Sequence, residues 1–467
     1  MRKRICLLML VFFCLLLTAC APAAQPEPEP DPAPEVEASA PEDVPAPGEP
    51  REPDVPEEEL SERDQNWVND IHYLQYNYKM YHPDPFYLCS EEEFDWKIDL
   101  LCKKVTGLSD NDIFFELAAV IAGMGDIHTA VFPPESLYDS LFPIGVQYFD
   151  NKLYLSFYRE GYEQFEPYLL REIVAVNGVD IRYLEGKFES IFNPYNTWYS
   201  EKNFCRSYFI PAFFDWAGCG YRDGYTFQIL DENRTVQSVE VPVMTYAEAA
   251  AGQVIYPEGW QSSAGVGESN WAEYVEGENG GYVYMNLEQM TDLREAPYRE
   301  LFEKTAGLLE THPDSGKLVI DLRNNPGGLI LVCNYLREDV QMLKELPIDQ
   351  TYILTSGYTA SGGTFCISLF KKELDGVIVG EPTGQFTSFF GYQSNPTGIT
   401  LTLPLSQLSV RVATGWWEGD DPENVVYDED GKLYAWENTI LPDVYVYQDI
   451  EDLRRGKDSV LEWVLAQ

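Results

Sequence analysis

The second half of the chain alternates short strand-like runs with longer helix-like runs, and this order restricts the possible folds most strongly. Runs rich in Val, Ile and Leu are separated by runs whose apolar residues recur at helical spacing. The predicted elements are strand Gly281–Leu287, helix Leu293–Thr311, strand Lys317–Leu322, helix Leu329–Leu346, strand Gln350–Thr355, helix Ser361–Leu374 and strand Val377–Gly380. This βαβ order is typical of an α/β core with right-handed crossovers.

A helical segment is predicted ahead of this core. Trp67, Ile71 and Leu74 recur at helical spacing, and the prolines after His82 end that helix because they cannot continue it. A second helix begins with a capping-box-like pattern at Ser109. The sequence therefore predicts helices over the first ordered part of the chain.

Short alternating strands are predicted between this helical segment and the core. They lie at Ile144–Phe149, Lys152–Tyr158, Glu172–Val176, Tyr225–Leu230 and Val236–Val243, with a helix from Asp180 to Phe192. The stretch Ala250–Gly280 is rich in Gly, Ser and Glu, and it is predicted to be a linker or a covering loop. Late strands are predicted at Thr400–Leu403, Leu408–Ala413 and Val444–Tyr447.

The N-terminal residues predict export. Basic residues 1–4 precede an almost wholly apolar run, 5–17, which is typical of a secretory signal and too short to span a membrane. Residues 17–20 (Leu-Thr-Ala-Cys) resemble the bacterial lipobox. That resemblance implies cleavage before Cys20, acylation of its thiol and a lipoprotein anchored to the outer face of the bacterial cell membrane. The alternative is an ordinary signal peptide in which Cys20 has no such role.

A Pro-, Glu- and Ala-rich stretch from residue 21 to about residue 59 predicts a disordered tether, because it has almost no apolar side chains to bury. The whole chain has 467 residues, which is enough for two or three domains. Its 77 acidic side chains far outnumber its 32 basic ones. Nucleic acid is therefore a poor candidate partner, and a neutral or cationic partner fits better.

The cysteines after Cys20 match no zinc-binding spacing. They are Cys89, Cys102, Cys205, Cys219, Cys333 and Cys366. An exported protein could pair some of them, and Cys205 with Cys219 is the first pair to test. We expect no metal site.

Ser361 lies in a strand–turn–helix pattern that suits a nucleophile. It follows an apolar β-branched run, and the helix that it begins would offer unpaired N–H groups and a positive dipole end. Gly362 and Gly363 allow a substrate to approach the backbone closely. The alternative is a plain helix N-cap, since Ser is favoured there in any protein.

A second turn, the Asn-Asn-Pro-Gly-Gly of residues 324–328, follows the predicted strand Lys317–Leu322, one strand earlier in the core than the strand that leads to Ser361. Loops after successive strands of such a core open on the same edge, so Gly327, Gly328 and Ser361 could face one cleft. Accessible glycine N–H groups can stabilise a tetrahedral oxyanion. The alternative is a Pro-Gly turn without chemical consequence.

These motifs together resemble the C-terminal processing (tail-specific) serine peptidases and the tricorn core. The resemblance rests on residues 321–328, 359–361 (Thr-Ala-Ser), 379–384 and 437–444, and it extends from about Ser61 to the end of the chain. It implies a crotonase-like α/β catalytic core with an N-terminal helical segment and an inserted PDZ-like β-rich domain. The alternative for the inserted region is a generic small β domain. The predicted divisions are signal peptide 1–20, tether 21–60, helical part 61–135, PDZ-like domain 136–250 and α/β peptidase core 251–467.

The resemblance also assigns roles to individual residues. It makes Ser361 the nucleophile and places the oxyanion hole at the N–H of Gly362 with that of Gly327 or Gly328. One branch of the family uses a Lys in the loop after the next strand, but residues 380–386 (Gly-Glu-Pro-Thr-Gly-Gln-Phe) contain none. The chain is therefore closer to the tricorn type, with a Ser-His-acid site.

His128 is the predicted base of that site. It follows Gly-Asp-Ile at residues 125–127, which resembles the tricorn-type motif, whereas His72, His82 and His312 lie in helices or at their ends. Imidazole accepts a hydroxyl proton near neutral pH with little tuning. Glu437 matches the family position of the orienting acid. The other acidic side chains that remain open for this role are Asp420, Asp421 and Asp443.

The leading prediction is an exported, lipid-anchored serine endopeptidase that acts on a polypeptide substrate without a cofactor. One alternative is a non-catalytic ligand-binding protein on the same scaffold, which would have no reason to keep Ser361 and His128 together. Another is an acyl-CoA enzyme of crotonase type, which the signal peptide argues against.

Overall fold

The computed structural model describes most of the chain beyond the predicted tether. The described residues are 60–86, 88–124, 128–192, 197–220, 224–257, 270–277, 281–292, 294–328, 330–384, 388–389, 399–413, 415–416, 425–427, 433–436 and 440–467. The predicted signal peptide, Cys20 and the tether lie outside these residues. Among the helices described, none is long and apolar enough to cross a membrane.

Three helices open the described chain: α1 (Glu62–Tyr81), α2 (Glu91–Lys104) and α3 (Asp110–Ala122). The predicted end of α1 before the prolines is confirmed, and so is the capping box of α3, in which Ser109 and Asp112 bond each other's backbone N–H groups. Helix α2 was not predicted. Its apolar face is narrow, because only four of its fourteen residues are buried.

A β-rich region follows and confirms the predicted strands. Its strands are β1 (Ala130–Val131), β2 (Ser140–Leu141), β3 (Ile144–Phe149), β4 (Lys152–Arg159), β5 (Glu172–Val176), β6 (Val179–Asp180), β7 (Tyr225–Leu230), β8 (Val236–Val241), β9 (Met244–Thr245) and β10 (Val254–Ile255). One antiparallel sheet has the order β10-β4-β5-β7-β8, with β3 on β4 and β6 on β5. The assignment of this region as PDZ-like stays a prediction.

Four helices belong to the same region: α4 (Ile181–Ile191), α5 (Thr197–Asn203), α6 (Pro211–Trp216) and α7 (Tyr246–Ala251). Edge-to-face and tilted aromatic pairs join α4 to α6 and to the π-helical turn after α5, with Phe188 5.3 Å from Phe204 and 6.1 Å from Phe213. Cys205 and Cys219, the first pair to test for a disulfide, are both free thiols in the structure. Cys219 instead donates to Val176 O within the aromatic core.

The core contains strands β11 (Asn270–Val275), β12 (Tyr282–Leu287), β13 (Lys317–Asp321), β14 (Gln350–Thr355) and β15 (Val377–Gly380), and helices α8 (Ala296–Thr311), α9 (Ile330–Asp339), α10 (Gln341–Lys344) and α11 (Gly362–Leu374). The remaining elements are β16 (Ser388–Phe389), β17 (Ile399–Thr402), β18 (Ser409–Val412), β19 (Gly415–Trp416), β20 (Val425–Tyr427), β21 (Leu433–Trp436), β22 (Val444–Tyr445), α12 (Ile450–Arg454) and α13 (Ser459–Leu465). The predicted single helix 329–346 is wrong in one respect, since the structure divides it into α9 and α10.

The six-stranded core sheet has the order β11-β12-β13-β14-β15-β22, and only β11 is antiparallel to its neighbour. Alternate side chains of these strands point to opposite faces. Leu318 and Ile320 therefore join the apolar cluster that includes α8 and α11, while Val319 joins the one that includes α13. The predicted α/β core is confirmed.

Strand β11 corrects the prediction of a linker or covering loop over 250–280. Residues 270–275 pair with β12 along their whole length, and Ala272 is buried against the core. The Gly- and Ser-rich composition of the surrounding stretch concealed this strand, because it is only six residues long and three of them, Trp271, Tyr274 and Val275, are aromatic or β-branched.

Candidate active site

Ser361 lies between β14 and α11 in a backbone conformation that is strained for a residue with a side chain. Its φ of 49° and ψ of −123° fall outside the regions that L-residues normally occupy. Its side chain makes no capping hydrogen bond to α11, so the alternative of a plain N-cap is wrong.

His128 contacts that hydroxyl. The distance from His128 Nε2 to Ser361 Oγ is 3.2 Å, although the two residues are 233 positions apart in the chain. His128 is 5% exposed and Ser361 is half-buried, so the pair is partly shielded from water. The distance is within hydrogen-bonding reach for transfer of a proton between the two groups.

The backbone around His128 is held by strand β18. Arg411 Nε donates to His128 O at 2.9 Å, and Ala413 N donates to the Thr129 hydroxyl at 3.0 Å. Ala130 in β1 lies opposite Arg411 in the antiparallel β1–β18 pair. These contacts hold the chain at residue 128 and directly after it, and so help to position the imidazole.

The Asn-Asn-Pro-Gly-Gly turn lies against the nucleophile turn. Ala360 N donates to Asn325 O at 3.1 Å, and the Asn325 amide bonds Leu287 O at 2.8 Å. A Cβ atom added at Gly327 would lie 2.6 Å from both Gly362 N and Ser361 Cβ, closer than real side chains approach. Gly327, with a φ of 97°, is therefore required by both space and backbone conformation.

Two backbone N–H groups converge beside Ser361. Gly327 N already donates to the Asn325 side chain at 2.8 Å, so Gly328 is the better donor of the two glycines. A Cβ atom added at Gly362 would lie 3.2 Å from Gly328 N, which places these two residues side by side. Gly362 is also the first residue of α11, where the helix dipole is positive. The pair can stabilise negative charge that develops next to the Ser361 hydroxyl.

A largely buried ionic network holds the residues that lead into the Asn-Asn-Pro-Gly-Gly turn. Arg323 pairs with Asp321 at 2.7 Å and with Asp458 at 2.8 Å, and the Tyr284 hydroxyl donates to Asp321. Burial alone would raise the pKa of Asp321, but the charge and hydrogen bonds of Arg323 outweigh it and lower that pKa. Because Asp458 caps α13, the network joins the end of β13 to the C-terminal helix.

The orienting acid is the part of the predicted site that the structure does not place. Glu437, Asp420 and Asp421 lie outside the described residues. Asp443 is bonded to Lys371 Nζ at 2.6 Å and to Ile378 N at 2.9 Å. Lys371 lies in the last turn of α11, roughly 15 Å along the helix axis from Ser361. Asp443 is therefore not placed to orient His128.

The loop after β15 contains no Lys of the kind used by the Ser-Lys branch of the family that this sequence resembles. It makes structural contacts with the nucleophile loop and with α5 instead. Glu381 accepts from Gly357 N at 3.1 Å and pairs with Lys202 of α5 at 3.2 Å, with both side chains less than one-fifth exposed. Trp198 fills the space beside Gly357, where a Cβ atom would lie only 2.2 Å from it. Sequence reasoning missed the contact of α5 with the nucleophile loop, since no local pattern signals a contact of that range.

No group of three or more His, Cys, Asp and Glu side chains is arranged to hold a metal ion in the part of the chain that the structure describes.

Comparison with known proteins gives structural neighbours only. No protein-family model matches the sequence, and no curated protein matches it. The fold is similar to that of mature CPAF complexed with lactacystin, with a TM-score of 0.54 and 13% identity, over 87% of this chain and 98% of that chain. Mature CPAF alone gives 0.52 and 13%, over 86% and 96%.

The photosystem II D1 C-terminal processing protease is also similar at 13% identity, over 86% of this chain and 99% of that chain. Its TM-score of 0.37 is too low to carry an argument. The chain therefore shares the fold of CPAF over almost the whole length of that protein.

Proposed function

We propose that this protein is a serine peptidase of the tail-specific type, which hydrolyses a polypeptide through an acyl-enzyme at Ser361. The observation that carries the proposal is the 3.2 Å distance between His128 Nε2 and Ser361 Oγ, formed across 233 residues of sequence. A structural serine at a helix start has no need of this contact. The fold shared with CPAF supports the proposal, and the motifs at 321–328 and 359–361 favour the tail-specific type.

In the first step, His128 Nε2 takes the proton of the Ser361 hydroxyl as Oγ attacks the carbonyl carbon of the scissile bond. The carbonyl oxygen becomes an oxyanion, and the N–H groups of Gly328 and Gly362 stabilise it. The strained backbone at Ser361 holds Oγ in place for this attack. Both donors belong to turns that are bonded to each other before substrate arrives, so little reorganisation is needed.

The tetrahedral intermediate then collapses. The carbon–nitrogen bond breaks, and the leaving amine takes the proton from His128 Nε2. Water attacks the resulting ester with His128 again accepting a proton, and a second oxyanion forms in the same place. His128 Nε2 then returns the proton to Ser361 Oγ as the ester bond breaks, which restores the hydroxyl and releases the amino-terminal fragment with its new carboxyl group. An acid at Nδ1 of His128 would hold the imidazole in the required tautomer, and Glu437 remains the proposed residue.

Labelling with a fluorophosphonate tests the nucleophile directly. We expect the mature protein to be labelled covalently at Ser361, and Ser361→Ala to abolish the labelling. Ser368→Ala is a matched control, because Ser368 is an exposed serine on the same helix that bonds only a carbonyl of the preceding turn. Absence of labelling in a protein whose circular dichroism is native would contradict the proposal and favour a ligand-binding protein on this scaffold.

We also propose that the protein is exported and anchored to the outer face of the bacterial cell membrane through a lipid on Cys20. The support is the signal-like run 5–17 and the lipobox-like residues 17–20. Metabolic labelling with an alkyne fatty acid should mark the wild-type protein and not Cys20→Ser. Equal labelling of the two proteins would rule out this site of acylation.

A further inference from the structure

Arg206 presents an exposed positive charge beside the nucleophile loop. It lies in the π-helical turn after α5, and its guanidinium carbon is 4.1 Å from the ring centroid of Tyr358. Within the described residues, the guanidinium has no hydrogen bond and no ion pair shorter than 4 Å. Tyr358 precedes Ser361 on the same loop. A charge held by stacking on a ring leaves its N–H groups available to a ligand.

Arg411 adds a second positive charge to the same area. Its Nε is bonded to His128 O, and its guanidinium lies 5.5 Å from the Phe132 ring. Tyr199, stacked on Tyr358 with centroids 6.4 Å apart, lies near both arginines. Burial raises the pKa of the Tyr199 hydroxyl to about 12, while the charges of Arg411 and Arg206 act in the opposite direction. The area is locally basic in a chain with 77 acidic and 32 basic side chains.

The position of Arg206 suits a subsite near the scissile bond. Three residues of chain span at most about 11 Å, so the backbone of Tyr358 lies within that distance of the Ser361 backbone. The Arg206 guanidinium lies 4.1 Å beyond the centre of the Tyr358 ring. Successive residues of an extended peptide are about 3.3 Å apart. A side chain or terminus two or three residues from the scissile bond could therefore reach Arg206.

We propose that Arg206, together with Arg411, forms an anion-binding subsite that holds a carboxylate of the peptide substrate a few residues from the scissile bond. The inference rests on the proposed peptidase function and names a preference of the same site. The carboxylate could be an acidic side chain or the free carboxyl terminus of the substrate. A planar guanidinium can bind either through two parallel N–H···O bonds. The overall negative charge of the protein opposes such a substrate, so the preference has to come from local contacts.

Glu288 is the carboxyl group that competes for Arg206. It lies at the end of β12 and bonds the Asn286 side chain. Burial raises the pKa of Glu288 to about 7, and Asp321 adds to this effect while Arg206 opposes it. Near neutral pH this carboxyl therefore carries less than a full negative charge. A further acidic side chain close to this loop, Glu381, is paired with Lys202. The acidic side chains of the described residues therefore neutralise the charge of Arg206 incompletely.

The test uses internally quenched peptides in which one position at a time is Glu or Gln and the other positions are mixtures of neutral residues. Each peptide is made with a free and with an amidated carboxyl terminus. The measured quantity is the ratio of kcat/KM for each carboxylate peptide to that of its neutral counterpart. For the wild-type protein we expect a ratio of about ten at the favoured position, as one charge-assisted hydrogen-bond pair supplies.

Arg206→Gln should reduce this ratio to about one, and Arg206→Lys should retain part of it. Arg455→Gln is the control, because Arg455 is an exposed arginine paired with Asp452 and its loss removes the same charge. It should leave the ratio unchanged. If Arg206→Gln keeps the wild-type ratio, or if the wild-type protein has no preference, the inference is wrong. Loss of the preference for Glu points to an acidic side chain, and loss of the preference for the free terminus points to the substrate end.

Binding separates failure of this inference from failure of the peptidase proposal. Fluorescence anisotropy of the same peptides with Ser361→Ala gives a ratio of Kd values that needs no turnover. If no peptide is cleaved but the Kd ratio is near ten and falls with Arg206→Gln, the subsite stands and the peptidase function does not. If peptides are cleaved and neither ratio depends on Arg206, the function stands and the subsite does not.

Discussion

The two halves of the site are constructed in different ways. Ser361 and the glycine turn come from successive loops of one parallel sheet, and backbone hydrogen bonds such as Ala360 N to Asn325 O join them directly. His128 comes from the segment between α3 and β1, and a separate sheet, β1-β18-β17, holds it. The nucleophile side is thus assembled by local chain geometry, whereas the histidine side depends on the packing of distant segments.

This difference matters for how each side can fail. The nucleophile turn is fixed by steric demands that only glycine meets, so a single added methyl group should disturb it. The histidine is fixed by a few main-chain bonds to β18, and each of these can weaken without unfolding the sheet. We therefore expect large, abrupt losses on one side and smaller, graded losses on the other.

The largest effect should come from removing the reacting groups themselves. Ser361→Ala and His128→Ala should each reduce kcat by on the order of 10⁴-fold or more, because neither group can transfer the proton without the other. The double variant should be no slower than the slower single variant. The measurement is single-turnover peptide hydrolysis for all three proteins.

Additive losses in that cycle would mean that the two side chains act independently and would contradict the proposed pair. Circular dichroism and thermal unfolding of each variant provide the control for folding. Ser368→Ala, on the exposed face of α11, should retain full activity and so exclude a general effect of serine removal on this helix.

An intermediate effect is expected at Gly327. In Gly327→Ala the new methyl group would meet Gly362 N and Ser361 Cβ at 2.6 Å and would have to adopt a φ of 97°. The turn must shift, which misplaces the Gly328 and Gly362 donors and should lower kcat by roughly 10²- to 10³-fold. Gly307→Ala in α8 is the matched control, because nothing lies within 4 Å of that added methyl group. Equal activity of the two variants would remove the steric argument.

The sequence predicted the nucleophile side well because its signals are local. Strand, turn and helix around Ser361 follow from apolar runs and glycines, and the turn at 324–328 lies in the equivalent loop of the preceding strand. The loops that follow parallel strands lie at the same edge of the sheet, so the topology alone predicted that the Ser361 turn and the turn at 324–328 would be close together. The strained backbone of Ser361 and the commitment of Gly327 N to Asn325 were not visible, since they depend on side-chain contacts.

On the histidine side, local sequence patterns did not predict the contacts that hold the residue in place. His128 was selected by its motif and by the unsuitable positions of the other histidines, yet nothing in the sequence indicated that Arg411 and Ala413 would hold it. Contacts over nearly three hundred residues leave no periodic signal. The docking of α5 on the nucleophile loop was missed for the same reason, and β11 was missed because a short edge strand lay in a Gly-rich stretch.

The smallest of these effects should appear at Thr129 on the histidine side. Thr129 is 3% exposed, and its hydroxyl accepts the N–H of Ala413 at 3.0 Å. Thr129→Val keeps the shape of the side chain but leaves that buried N–H without its acceptor, which costs roughly 1–3 kcal/mol. If part of this cost is relieved by movement of β18 away from His128, kcat should fall by about tenfold. Thr129→Ser retains the hydroxyl and should restore most of the activity, whereas a fully active Thr129→Val would show that this bond does not position the imidazole.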